Sequence, residues 1–105
     1  MSNEIWAKAN ELKDYFTDIR RQIHQHPELG GKETHTADLI RRELSSCGIE
    51  IVPFAVPTGV VGLLYGKKAG PDQVTALRAD IDALPIVEKT GLPYSSQQTG
   101  IMHAC

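Results

Sequence analysis

The stretch "KETHTADLIRRELSSCGIEIV", residues 32–52, changes its period part-way along. Ala37, Ile40, Leu44 and Cys47 recur at helical spacing and fall on one face. They predict a helix from roughly Lys32 to Cys47. Gly48 is well placed to stop it, because glycine accepts the left-handed conformation that ends many helices. From there "IEIVPF" alternates like a strand, which Pro53 confines to an edge position or to a short length. Cys47 lies on the apolar face and reads as a buried structural thiol rather than a reactive one.

On the N-terminal side, Ile5, Ala9, Leu12, Phe16, Ile19 and Ile23 form one apolar stripe. The stripe predicts a single core-facing helix, capped by Ser2 or Asn3 and ended before Pro27. "HPELGGKE" joins the two helices as a turn. On the C-terminal side, Thr58-Gly59 is a turn and "VVGLLYG" a second strand. "KKAGPD" is a surface loop and "QVTALRA" a third strand. Two helices followed by strands predict an α/β fold with helices packed on a sheet. From Asp80 to Cys105 nothing is periodic, and Pro85, Gly91, Pro93 and Gly100 punctuate an irregular stretch of the kind that often carries function.

The length of 105 residues suits one domain and not two. Hydrophobic and charged fractions of 41% and 23% are those of globular chains, which argues against disorder. A net charge of −2 gives no electrostatic reason to expect nucleic acid or an anionic membrane as partner. No apolar run is long enough to span a membrane, and the charged N-terminus lacks the apolar core of a secretory signal. A cytoplasmic protein with Cys47 and Cys105 as free thiols is therefore expected, although spacing alone leaves a disulfide between them open.

Asp80 and Asp82 flank Ile81 directly after the predicted third strand, where open α/β sheets often bind ligands. Such a pair can orient a ligand, bind a cation or pair with Arg78. Taken alone, D-x-D favours a turn cap or an ion pair. His103 and Cys105 are donors suited to zinc-like metals, but two donors do not make a site. His24 and His26, if both helical, project about 200° apart and cannot chelate one ion. One of them is expected at the helix C-terminus, where a cation is favoured. His35 is expected to face solvent.

Taken together, "IRRQIHQHPELGGKETHTADLIRRELSSCGIEI", "PTGVVGLLYG" and "LRADIDALPIVEKTGLPYSSQQTGIMHAC" resemble the N-terminal part of the M20 metallopeptidase family. The nearest branch holds the amidohydrolases of N-acyl amino acids, hippurate and auxin conjugates. The resemblance implies the N-terminal portion of a zinc-exopeptidase-like catalytic domain, with helices on a mixed sheet. The family's last motif continues as H-A-C-G-H-D, whose cysteine and second histidine bind metal, so Cys105 is implied as a metal ligand. Asp80 matches an aspartate that in other branches lies two residues after a ligand histidine. Arg78 stands at that histidine position here, so Asp80 is implied to orient a ligand rather than to bind metal. Asp82 shapes the same loop, and His103 matches a family position without a defined role.

The implied reaction is amide hydrolysis of a small N-acyl amino acid, by two divalent ions (Zn, Mn, Ni or Co) and a glutamate base. The base, most ligands and the inserted dimerisation domain lie outside these 105 residues. The chain alone is therefore expected to be inactive, to bind no metal tightly and to associate into a homo-oligomer through uncovered surface. Two other classes compete: a non-catalytic α/β interaction module reusing the scaffold, and a cysteine-dependent redox or metal-carrying protein.

Overall fold

The computed structural model describes residues 2–105. The chain divides into two compact units. Glu28–Asp82 form a continuous one. The N-terminal stretch through Pro27, with Ala83–Cys105, forms a discontinuous one.

In the continuous unit, the helix read from residues 32–47 is α3 (Thr34–Ser46). Thr36, Ala37 and Leu39 are its buried residues. Gly48 follows with φ of +74°, as the stop signal requires. The chain then turns back on itself, with the Ile49 N–H donating to the Leu44 carbonyl at 3.0 Å. β1 (Glu50–Val52) ends before Pro53, and β2 (Val61–Leu63) pairs with it antiparallel. Ile51 faces Gly62 in the register. A Cβ on Gly62 would stand 2.9 Å from Ile49 Cγ2 and 3.2 Å from Leu44 Cδ1. The missing side chain thus lets α3 and the strands approach. The connection between the strands turns at Pro57-Thr58. Arg41 fastens it, donating to the Pro57 carbonyl at 2.8 Å while its other amino group meets Asp38 at 2.9 Å.

The α/β class holds, with helices and a small antiparallel sheet. Two expectations in this unit do not. "QVTALRA" forms no strand, and Val74 and Leu77 are 92% and 97% exposed. An apolar stretch makes a strand only where a neighbour takes its backbone bonds, and no described residue does so here. Cys47 is exposed rather than buried. α3 stops at Ser46, and Cys47 is the capping residue at φ −87° and ψ 3°. It has therefore left the helical phase that would carry it onto the apolar face.

In the discontinuous unit, the predicted first helix is two: α1 (Ser2–Glu11) and α2 (Lys13–Gln25). Leu12 keeps αR dihedrals, but its N–H is shared between the Lys8 and Ala9 carbonyls at 3.3 and 3.2 Å. The break is a tightened turn inside an otherwise continuous helical path. The stripe is only half covered. Ile19 and Ile23 are partly buried, whereas Ile5, Leu12 and Phe16 are exposed. Residues 83–105 contain no helix or strand. An antiparallel bridge joins Leu84 to Met102.

Candidate functional site

The clearest constellation of polar side chains lies in the discontinuous unit, around Glu88. α2 ends at Gln25 because the residue before Pro27 is disfavoured in helix. This leaves His24 in its last turn. Both imidazoles stand at the helix C-terminus, His24 in the last turn and His26 as the C-cap residue, and the His24 ring has a specific partner. Its Nε2 donates to Glu88 Oε1 at 2.8 Å. The Ser96 N–H donates to the same oxygen at 2.9 Å, and the Thr90 hydroxyl donates to Oε2. The Thr90 hydroxyl, the Ser96 N–H and His24 hold the Glu88 carboxyl below the usual carboxylate range, against a smaller opposing effect of burial. An ionised carboxylate only accepts, so the proton between the two side chains sits on His24 Nε2. Tyr94 stands edge-on to His24 with centroids 6.1 Å apart, and the Arg21 guanidinium lies 4.3 Å from the Tyr94 ring centre. His103 is half-buried, its ring centroid 6.4 Å from that of His24. Cys105, two residues on, is exposed.

In the continuous unit, Glu28 is held by the start of α3. Thr36 donates to Glu28 Oε1 through both its N–H and its hydroxyl, each at 2.7 Å. The His35 N–H and the Thr34 hydroxyl donate to Oε2 at 3.1 and 3.3 Å. Glu28 is therefore the N-terminal cap of α3, supplied from six residues upstream of Thr34. Burial alone would raise its pKa, but the Thr36 and His35 donors outweigh it and lower the value. His35 is exposed, as expected. Arg78 and Asp80 form an exposed ion pair at 2.8 Å. Asp82 is also exposed and approaches Gly30, whose absent Cβ would meet Asp82 Oδ2 at 3.8 Å and Glu33 Oε1 at 3.9 Å. Because residues 73–79 form no strand, the crevice argument for Asp80 and Asp82 loses its footing.

Sequence reasoning did not single out Glu28, Glu33 or Glu88. "HPELG" was legible as a turn, but a cap reaching across several residues has no short local pattern. The Glu88 partner is 64 residues away in the chain. No three His, Cys, Asp or Glu side chains converge to hold a metal among the described residues. Cys105 suits a zinc-like ion in kind, but the chain's own donors do not fit a complete site. Cys47 and Cys105 are both free thiols. Among the described residues, no helix is long and apolar enough to cross a membrane.

No family model matches the chain. Individual proteins do. It is 52% identical over 99 residues to an N-acetyl-L-cysteine deacetylase of Bacillus subtilis, covering 94% of this chain and 23% of that protein. It is 47% identical over 95 residues to a hippurate hydrolase of Campylobacter jejuni, covering 90% of this chain and 24% of that protein. Among solved structures, a dinuclear metal-binding peptidase from the M20 family, also of Bacillus subtilis, superposes with a TM-score of 0.83. That match has 44% identity and covers 91% of this chain and 27% of the other.

These likenesses define the class: the fold is that of a hydrolase segment. The chain is similar to a segment of M20 family hydrolases and peptidases and spans about a quarter of the length of the curated relatives it matches.

Proposed function

We propose that the chain is part of the catalytic domain of a metal-dependent amidohydrolase that cleaves N-acyl amino acids. The observation that carries this is its identity to the Bacillus deacetylase over nearly its whole length. The motif ending in "MHAC" supports the same reading. Within it, Cys105 supplies one metal ligand, and Asp80 orients a neighbouring ligand or loop. Bound divalent ions would polarise the amide carbonyl and acidify a water. Zinc, manganese, nickel and cobalt all suit such a reaction, with availability deciding among them.

These residues alone supply no general base and no closed donor set, so the isolated chain is inactive on this reading. The inserted dimerisation domain lies outside it. Uncovered apolar side chains and the unpaired outer edges of β1 and β2 favour self-association, and the protein is cytoplasmic with free thiols.

The test is a chimera in which this chain replaces the matching segment of the Bacillus deacetylase. The chimera is expected to bind divalent metal and release acetate from N-acetylcysteine. Cys105→Ala is expected to abolish both, while Cys47→Ala leaves both intact. A well-folded chimera that takes up no metal would overturn the reading.

A further inference from the structure

Glu88 joins α2 to the irregular segment that follows it. Its side chain is only 4% exposed, and its donors come from two stretches of the discontinuous unit. His24 comes from the last turn of α2. Thr90 and Ser96 come from the loop beyond Glu88 itself.

Ser96 carries the connection further. Its hydroxyl donates to the Ile101 carbonyl at 2.6 Å, with the Gln98 carbonyl at 3.0 Å as a second acceptor. The same hydroxyl accepts from the Gln98 N–H at 3.1 Å. The next residue, Met102, exchanges two backbone bonds with Leu84, at 2.9 and 3.0 Å. A parallel strut runs from the Gln97 N–H to the Gln25 carbonyl at 2.9 Å. An unbroken series of hydrogen bonds and adjacent residues thus leads from the end of α2 to Met102. An irregular segment gains no regular ladder to offset its loss of backbone freedom, so its order has to come from such anchors.

We propose that His24 and Glu88 are positioning residues for the segment Ser96–His103, fixing its path from the last turn of α2. The pair acts through Ser96, and neither residue is assigned contact with a substrate. The bearing of this anchor on Cys105 rests on the amidohydrolase reading. There, the anchored segment leads directly to the ligand thiol and limits the arc it can sweep before metal arrives.

Amide hydrogen exchange by NMR on the 105-residue chain reads this path residue by residue. His24→Phe keeps a ring but removes the bond to Glu88. It is expected to speed exchange at the Ser96 and Met102 amides by about tenfold or more, while the Leu39 and Ile40 amides of α3 stay unchanged. Glu88→Ala is expected to do the same. Glu88→Gln keeps an acceptor oxygen for Ser96 and is expected to restore slow exchange at both positions. Two results overturn the proposal. One is an unaltered Met102 amide in both His24→Phe and Glu88→Ala. The other is a uniform rise that includes α3 and is equal in Glu88→Gln and Glu88→Ala, which marks general stability instead of positioning. Exchange depends on neither metal nor activity. Its failure leaves the amidohydrolase reading standing, and an inactive chimera leaves the anchor standing.

Discussion

Glu28 shows what a single carboxylate does in this chain. Its oxygens take the first free N–H groups of α3, which no residue at the helix start caps through its side chain. Glu28→Ala is expected to lower the free energy of unfolding by about 1 kcal/mol, the usual cost of a lost cap, measured by urea denaturation. Its acid response has a definite sign. The folded pKa lies below the unfolded one, so the contribution is complete above the unfolded value. It is lost as pH falls through the folded value, and part of the acid instability below about pH 4.3 should vanish in Glu28→Gln. Denaturation midpoints of both forms between pH 3 and 6, set as about the span of the ordinary glutamate range, check this. Legibility divides at this scale by distance along the chain. Gly48 could be read because a helix stop is encoded at the stop. Glu28 and Glu88 could not, because their partners are fixed only once the chain has folded back.

Elements repeat that division. α3, β1 and β2 were legible because period, stop signal and Pro53 agree with one another. Residues 73–79 are apolar enough to read as a strand and form none, since apolar content describes a surface and a strand needs a neighbour. The stripe of α1 and α2 was read correctly as helical but wrongly as uniformly covered. Periodicity shows which side would be buried, and packing decides how much of it is. Two glycines test the joints of α3 with its strands. Gly48→Ala forces a Cβ into φ of +74° and is expected to cost about 1 kcal/mol. Gly62→Ala places a methyl within 2.9 Å of Ile49 and is expected to cost about 1–3 kcal/mol, as overpacking does. Thermal melts of the two variants against the parent would register both losses.

For the whole molecule, the exposed apolar surface is the dominant fact. Trp6 is 71% exposed and Leu64 73%, with Ile5, Phe16, Val74 and Leu77 also open. Monomeric proteins rarely leave so many large apolar side chains uncovered in groups. Light scattering at micromolar concentration is expected to find a species larger than 11.5 kDa. A dye that fluoresces in apolar surroundings should bind and then be displaced as concentration rises. The family resemblance was legible from motifs, and the comparisons bear it out. The metal site was legible only as a motif, because one donor in sequence does not specify the others in space.

The division of the chain into one continuous and one discontinuous unit also sets an order of events during synthesis. In Glu28–Asp82 the strand pairing is local and can form once β2 has emerged. The other unit must hold its first helices unpaired until Glu88 and Ser96 arrive, across a separation of 64 residues from His24 to Glu88. Closing contacts over such a span is slow compared with closing a hairpin. α1 and α2 therefore leave the ribosome early and mature late. In that interval their apolar stripe, including Ile19 and Ile23, is open to a chaperone.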